Sequence, residues 1–229
     1  MSRVAGEVGT GPPAPAEQAM KVEIWSDVVC PWCYLGKRRF EKALDSFAHR
    51  DAVQVEFRSF QLDPGAPRLN GEPTAALLAR KYGMTAEQAA RSQADLTQLA
   101  AADGLEYHLD RALRGNTFDA HRLLHLAAAS GLGPAVHERF FRGYFTEGVA
   151  IGDPAELHRM AVEAGLDEAA VASVLASDRY ADAVRADIDL ARAIGIHGVP
   201  FFVLNRTFGV SGARSPAHLL EALEQAWVA

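Results

Sequence analysis

Two stretches of the chain alternate apolar and polar side chains, which is typical of β-strands. The first runs from Val22 to Trp25, and the second runs from Val53 to Arg58. Between them, apolar side chains recur at the spacing of a helix that ends near Ala48 (Gly36, Phe40, Ala43, Leu44 and Phe47). The pattern therefore predicts a β-α-β unit at the start of the chain.

A loop separates this unit from a long helical region. The segment 61–73 contains three prolines and two glycines, which interrupt regular structure. From Thr74 to Ile194 nearly every segment has helical spacing, and the predicted helices start at residues that favour helix beginnings. These starts are Thr85, Thr117, Pro134, Asp153 and Asp167, and a last helix has Val184, Ile188 and Ala191 on one face and ends at Gly195.

Strands return at the end of the chain. We predict strands at Phe201–Leu204 and Thr207–Val210, joined by a tight turn at Asn205-Arg206, and a final helix that Ser215 caps and that ends near Trp227. This order predicts an α/β protein with a thioredoxin-like fold and a large all-helical insertion between its β-α-β and β-β-α halves. The predicted divisions are a flexible leader (1–20), the N-terminal half of the thioredoxin-like domain (21–73), the helical insertion (74–194) and the C-terminal half (195–229).

Composition and charge exclude some classes of function. The 229 residues carry a formal charge of −6 without a basic cluster, which argues against a nucleic-acid partner. No apolar run approaches the ~20 residues of a membrane-spanning helix, so we expect no membrane partner. Residues 1–19 lack the basic and apolar regions of a signal peptide, so we expect a cytoplasmic protein. Met20 is an alternative start, and whether the leader is native stays open.

Two cysteines, Cys30 and Cys33, stand at C-x-x-C spacing between the first predicted strand and helix. Pro31 suits a first helical turn, so Cys30 is expected at a helix N-terminus, where free N–H groups and the helix dipole favour a thiolate. Such a pair beside a β-α-β pattern indicates a redox-active dithiol. A zinc site is not predicted, because no second C-x-x-C supplies the remaining ligands. We expect Cys30 to be the exposed thiol and Cys33 the shielded one.

Residues around the cysteines are candidates for tuning them: Asp27, Pro31 and Trp32. A carboxylate at Asp27 would raise the pKa of Cys30 or accept a proton, and the alternative is an ordinary turn residue at the strand end. Further along the first helix, three consecutive basic residues are expected to form a solvated face (Lys37, Arg38 and Arg39).

His121 and His125 lie one turn apart on one predicted helix. No residues at fixed spacing offer the third and fourth ligands that a metal site needs, so no metal is predicted there. We expect partly buried histidines that form hydrogen bonds within the helical region.

Several motifs together resemble one known family. They are SDVVCPWCYLG, GNTFDAHRL, YFTEGVAIGD, GIHGVPFFVLN and VSGA, within residues 26–213. From Val22 to about Trp227 the chain resembles the DsbA family of thiol–disulfide oxidoreductases, and within it the cytoplasmic, FrnE-like branch. The 2-hydroxychromene-2-carboxylate isomerases and kappa-class glutathione transferases are similar, but they typically carry serine where this chain has Cys30.

The resemblance implies roles for individual residues. It makes Cys30 the nucleophile and Cys33 the resolving cysteine, and it implies a cis bond between Val199 and Pro200. Such a bond would lie opposite the cysteines and leave the backbone of Val199 free to pair with an extended substrate. Asn116 and His121 stand in a family-like motif and are candidates for the substrate side of the site.

The first hypothesis is a protein disulfide oxidoreductase that works through a mixed disulfide at the Cys30–Cys33 pair. A glutathione-dependent isomerase or transferase acting on an aromatic or polyketide-like small molecule stays open, as does a redox-sensing or chaperone-like binding protein. The expected partners are polypeptide or small-molecule thiols and disulfides. No bound cofactor is expected, and glutathione stays open as a reductant or co-substrate. Neither the direction of the reaction nor the oligomeric state is predicted.

Overall fold

A four-stranded mixed sheet forms the centre of the molecule. The computed structural model of the chain describes residues 19–69 and 83–228. Within them the strands are β1 (Met20–Ser26), β2 (Val53–Ser59), β3 (Phe201–Leu204) and β4 (Phe208–Ser211), in the spatial order β2-β1-β3-β4. β1 pairs with β2 in parallel and with β3 antiparallel, and β3 pairs antiparallel with β4. This is a thioredoxin-like arrangement, as predicted from the order of the elements.

Helices cover the sheet and form the insertion. The first helix and the last helix belong to the thioredoxin-like halves, and the described residues between β2 and β3 form six further helices. The helices are α1 (Pro31–Ser46), α2 (Ala86–Ala102), α3 (Phe118–Ala129), α4 (Gly133–Phe145), α5 (Pro154–Glu163), α6 (Glu168–Leu175), α7 (Ala181–Ala193) and α8 (Pro216–Trp227), with a 3₁₀ turn at Arg50–Ala52. Nearly all of the predicted leader, and positions 74–82 of the predicted insertion, lie outside the described residues. Among the helices that the structure describes, none has the length and apolar character to span a bilayer.

Most predicted helix starts carry the expected caps. The Thr85 side chain accepts a hydrogen bond from the Gln88 N–H and completes a capping box, and Asp153 accepts one from Ala155. Thr117 was predicted to cap α3, and this is wrong. The side chain of its neighbour Asn116 accepts the bond from the Phe118 N–H at 2.9 Å instead.

The hairpin between β3 and β4 differs by one residue from the prediction. Leu204 pairs with Phe208, so the connection holds three residues and β4 begins one position later than expected. Asn205 and Arg206 have φ angles of 48° and 56°, in the left-handed region. The Asn205 side chain fixes this turn, because it accepts a hydrogen bond from the Lys21 N–H and donates one to the Ala226 carbonyl.

The molecule has two main hydrophobic cores. One packs a face of the sheet against α1 and α8, through residues such as Ile24, Phe40, Phe202 and Leu223. The other fills the helical insertion and includes both cysteines. The start of α1 therefore lies where the thioredoxin-like part and the insertion meet.

Ion pairs join α1 to the insertion at the same boundary. Lys37 donates to Glu138 of α4 at 2.5 Å, and Arg39 donates to Asp103 at 2.7 Å. Lys37 is only 5% exposed, so the prediction of a solvated basic face is wrong at this position. Glu138 and Glu41 accept hydrogen bonds from its ammonium group and so compensate for its burial.

Candidate active site

The two cysteines lie at the N-terminus of α1. Cys30 is the N-cap residue, with extended backbone, and Pro31 is the first residue of the helix. The Cys30 N–H donates to the Asp27 carbonyl at 3.0 Å, and the Cys33 N–H donates to the Cys30 carbonyl at 2.9 Å. The strand end, the turn and the first helical turn thus fix both sulfur atoms relative to β1.

The segment before β3 faces the first cysteine. The Val199–Pro200 peptide bond is cis, as the resemblance implied. The Cys30 thiol lies 3.5 Å from the Val199 carbonyl oxygen, across 169 positions of sequence. The ring of Pro200 packs so closely on α1 that a Cβ added at Gly36 would come within 2.8 Å of it. Gly36 therefore permits this segment to lie against the cysteines.

We expect Gly36→Ala to slow disulfide exchange several-fold, because the new methyl group would push Pro200 and Val199 away from Cys30. The substitution should also destabilise the fold by about 1–2 kcal/mol, since overpacking outweighs the gain in helix propensity. Rates of insulin reduction and urea unfolding would measure both effects. Gly198→Ala is the matched control, because a Cβ at Gly198 meets no described atom within 4 Å. Equal rates for the two variants would contradict the expectation.

Both thiols are buried, which corrects the prediction of an exposed Cys30. Cys30 is 3% exposed and Cys33 is 2% exposed, and the two are not joined in a disulfide. The Val199 carbonyl lies against the Cys30 sulfur, and both thiols pack within the core of the insertion. The exposed side chain at the helix mouth is Trp32, with 44% of its surface accessible.

The surroundings of Cys33 favour its protonated form. Burial raises the pKa of the Cys33 thiol well above its ordinary value, and the adjacent Cys30 sulfur raises it further. The Asp27 backbone and the Ser26 side chain act in the opposite direction and lower the pKa of Cys33, but burial outweighs them.

Asp27, three residues before Cys30, contacts His121 of α3. Asp27 is 1% exposed and His121 is 2% exposed. One Asp27 carboxylate oxygen accepts the Leu62 N–H at 2.8 Å, and the other lies 3.3 Å from His121 Nε2. The structure thus brings together two residues that the sequence suggested for different roles.

Asn116 lies in a different environment. Its amide donates to the Pro64 and Ala66 carbonyls, and its oxygen accepts hydrogen bonds from Gln61 and from the Phe118 N–H. All of its hydrogen-bonding groups are occupied within the protein. The structure therefore assigns Asn116 a part in holding the loop after β2 against α3.

Two tyrosines adjoin the cysteine motif, and the sequence analysis did not select them. The Tyr107 hydroxyl donates to the Pro31 carbonyl at 2.7 Å, and the Tyr34 hydroxyl donates to Glu138 at 2.7 Å. Burial raises the pKa of both phenols, so they remain neutral donors. Tyr34 is adjacent to the motif and could have been selected, but Tyr107 lies in a loop that carries no periodic signal.

A cleft of about 440 Å³ lies between β2, α3 and α4. Three histidines, a serine and several apolar side chains line it, among them His121, His125, His137, Ser59, Phe57 and Leu124. Burial lowers the pKa of His137 to about 3, so its ring is neutral. The part of the chain that the structure describes contains no group of three or more His, Cys, Asp or Glu side chains that could hold a metal ion.

One cluster in this cleft contains the residue types of a hydrolytic triad. Ser59 Oγ lies 3.2 Å and Asp187 Oδ2 lies 3.1 Å from His125. Both contacts involve Nε2, whereas a triad relays a proton through opposite nitrogens of the ring. Asp187 also accepts hydrogen bonds from Arg58 and from the Ser59 N–H. The cluster therefore holds α7 against β2. It lacks the geometry that would activate Ser59 as a nucleophile.

Comparisons with known proteins identify the family of the chain. The family model described as a DSBA-like thioredoxin domain matches residues 21–224. A crystal structure of a probable DsbA oxidoreductase from Streptomyces coelicolor is 50% identical, with a TM-score of 0.88 over 91% of this chain and 90% of that one. An uncharacterized protein, YwbO of Bacillus subtilis, is 29% identical over 81% of this chain and 87% of its own length.

A more distant structural neighbour is the cytosolic disulfide reductase DsbM from Pseudomonas aeruginosa, solved with GSH. It is 18% identical, and the TM-score is 0.64 over 91% of this chain and all of the other. At this identity the likeness concerns the fold.

Proposed function

Because the chain belongs to the family of DSBA-like thioredoxin domains, we propose that it is a protein disulfide oxidoreductase that uses Cys30 and Cys33. The observation that carries the proposal is the contact between the Cys30 thiol and the Val199 carbonyl, 3.5 Å apart at the N-terminus of α1. Cys30 at the helix N-terminus, a second thiol one helical turn away and the backbone of the segment before β3 meet there. Membership of the FrnE-like branch stays a prediction.

The reaction proceeds through two exchanges. The Cys30 thiolate attacks one sulfur of a substrate disulfide, forms a mixed disulfide and releases the first substrate thiol. Cys33 then attacks the Cys30 sulfur, the bond to the substrate breaks, and the second thiol leaves. Two electrons pass from the enzyme dithiol to the substrate disulfide, and the enzyme is left with a Cys30–Cys33 disulfide.

The backbone near Val199 supplies the binding contacts for an extended substrate. The Val199 carbonyl lies beside the reacting sulfur, and a polypeptide can pair with this segment as a short additional strand. The exposed ring of Trp32 adds apolar surface at the same helix mouth. Polypeptide or small-molecule disulfides are therefore the proposed substrates.

We propose the cytoplasm as the site of action and glutathione as the reductant that restores the dithiol. Two glutathione molecules would reduce the Cys30–Cys33 disulfide and form one glutathione disulfide, which balances the cycle. The neighbour that is named a cytosolic disulfide reductase and was solved with GSH supports this choice of compartment and partner.

Trapping tests the mechanism directly. We expect Cys33→Ser to accumulate a covalent adduct with insulin chains or with glutathione, because its mixed disulfide at Cys30 has no resolving thiol. Non-reducing mass spectrometry would detect the adduct, and dithiothreitol should release it. The double variant Cys30→Ser/Cys33→Ser is the control and should form none. An adduct that forms on Cys33 in Cys30→Ser as readily as on Cys30 in Cys33→Ser would reverse the assigned roles.

A further inference from the structure

The turn between the two cysteines must keep a geometry in which their sulfur atoms can join. A disulfide forms only when the two Cβ atoms lie close together within a narrow range of orientations. Pro31 lies inside this turn and has no N–H to donate, and the Trp32 side chain beside it is 44% exposed. A contact that holds the turn would therefore govern how readily Cys33 attacks the mixed disulfide at Cys30. This inference rests on the proposed function, in which that attack is the resolving step.

One side chain of the insertion reaches the turn. The Tyr107 hydroxyl donates to the Pro31 carbonyl at 2.7 Å, across 76 positions of sequence. This carbonyl belongs to the first of the two residues between the cysteines. Tyr107 is 4% exposed, and burial raises the pKa of its phenol, so the hydroxyl keeps the proton that it donates.

The end of α4 holds Tyr107 from both sides. After it in the chain, the His108 N–H donates to the Phe145 carbonyl at 2.7 Å. Before it, the Glu106 carbonyl accepts a hydrogen bond from the Thr146 hydroxyl at 2.7 Å. The ring of Tyr107 stacks on that of Phe145, with centroids 5.0 Å apart. The position of the Tyr107 hydroxyl is therefore fixed by the insertion before any substrate binds.

We propose that Tyr107 is a positioning residue for the resolving step, and that its hydroxyl holds the Pro31 carbonyl so that Cys33 attacks Cys30 without rearrangement of the turn. Groups that are already in place react faster, because the entropy of ordering them has been lost beforehand. The insertion thus contributes to the chemistry of the thioredoxin-like part.

Tyr107 takes no part in the bonds that change. The Cys33 sulfur bonds to the Cys30 sulfur, the bond between Cys30 and the substrate sulfur breaks, and the substrate leaves as a thiolate. The proton of Cys33 passes to solvent, and solvent protonates the departing thiolate.

Tyr34 provides a matched control within the same aromatic cluster. Its ring stacks with that of Tyr107, with centroids 5.9 Å apart, but its hydroxyl donates to Glu138. Tyr34→Phe and Tyr107→Phe therefore remove the same atom from neighbouring rings. Only Tyr107→Phe removes the hydrogen bond to the carbonyl between the cysteines.

A chromogenic aromatic disulfide, dithiobis(nitrobenzoate), separates the two chemical steps in stopped flow. Attack by Cys30 releases the first nitrothiobenzoate at a rate that depends on reagent concentration, and resolution by Cys33 releases the second at a rate that does not. We expect Tyr107→Phe to slow the second release about fivefold, as for the loss of one hydrogen bond, and to leave the first nearly unchanged. Tyr34→Phe should change both rates by less than about 1.5-fold.

Two further measurements distinguish positioning from a structural role. Equilibration with reduced and oxidised glutathione gives the equilibrium constant for formation of the Cys30–Cys33 disulfide, which should fall about fivefold in Tyr107→Phe. Loss of overall stability alone would not change this constant in the folded protein. Thr146→Val removes the hydroxyl that holds the Glu106 carbonyl, and it should slow the second release about twofold.

The outcomes that overturn the proposal are specific. They are a second release in Tyr107→Phe as fast as in wild type, an equal slowing of both releases, an unchanged equilibrium constant, or an equal effect of Tyr34→Phe. If Tyr107→Phe does not fold, the second release of Thr146→Val decides by the same criteria. If the wild-type protein releases only one nitrothiobenzoate, the proposed function itself fails, so the two failures are distinguishable in one experiment.

Discussion

Replacement of Cys30 by serine is expected to reduce insulin reduction and the refolding of scrambled ribonuclease to the uncatalysed rate, a loss of roughly 1,000-fold or more. A hydroxyl group cannot form the mixed disulfide on which both exchanges depend. The substituted side chain differs by one atom, so the packing against Val199 should persist. Turbidity of precipitating insulin chains and regained ribonuclease activity would measure the two reactions.

The same variant separates the competing hypotheses. A chaperone-like binding protein would retain its effect on aggregation in Cys30→Ser, because binding needs no thiol. A redox sensor would show no turnover in either assay even as wild type, and Cys30→Ser would lose its two states because it cannot form the Cys30–Cys33 disulfide. A glutathione-dependent isomerase would keep its activity on an aromatic substrate, since its relatives typically carry serine at this position. Retained insulin reduction in folded Cys30→Ser would remove the proposed function.

Glu138→Ala is expected to destabilise the protein by about 2–3 kcal/mol. Glu138 accepts hydrogen bonds from three side chains of α1, at 2.5 Å from Lys37, 2.7 Å from Tyr34 and 2.8 Å from Arg38. Without it the Lys37 ammonium group, only 5% exposed, keeps Glu41 as its single partner among the described residues. We expect this loss of stability to be smaller than the ~3–5 kcal/mol typical of breaking a fully buried ion pair, because 35% of the Glu138 side chain is exposed.

Urea unfolding would measure the loss, and two variants serve as controls. Glu156→Ala removes an exposed pair with Arg159 on α5 and should cost less than about 1 kcal/mol. Lys37→Met combined with Glu138→Met removes both charges and should recover most of the stability. If Glu138→Ala and Glu156→Ala were equally stable, α1 would not depend on this contact.

The contact also gives stability a defined pH dependence. Burial alone would raise the pKa of Glu138, but the hydrogen bond and the charge of Lys37 outweigh it and hold that pKa below its ordinary value. Because the pKa of Glu138 is lowered in the folded state, its ionised carboxylate stabilises the fold fully at pH values above the pKa of unfolded glutamate, about 4.3. This stabilisation is lost as the pH falls from there through the lowered pKa of the folded state. The difference in stability between wild type and Glu138→Ala should therefore shrink below about pH 4.

The sequence predicted the elements well because its signals are local. Alternation and helical spacing depend on neighbours within one turn or one strand, and caps such as Thr85 and Asp153 act within three residues. The fold class followed from the order of those elements. The cysteine motif was evident for the same reason, since its spacing and its proline lie in one helical turn.

Contacts between distant elements could not be predicted in this way. The burial of Cys30 depends on Val199, and the burial of Lys37 depends on Glu138, which is 101 positions away. A basic residue on a helix indicates a solvated face unless its partner is known. The contact between Asp27 and His121, 94 positions apart, joins the strand end to the insertion. It cannot be inferred from either sequence motif alone.

The pairing of β1 with β3 has a consequence for synthesis on the ribosome. β1 is made early, but its antiparallel partner begins at Phe201, after the whole insertion has been translated. The Cys30 thiol meets the Val199 carbonyl only once that late segment has emerged. Until then the nascent chain carries two thiols that the native contacts do not yet cover. At about 5–20 residues per second, this interval lasts on the order of ten seconds or more, during which the thiols are open to oxidation and to foreign disulfides.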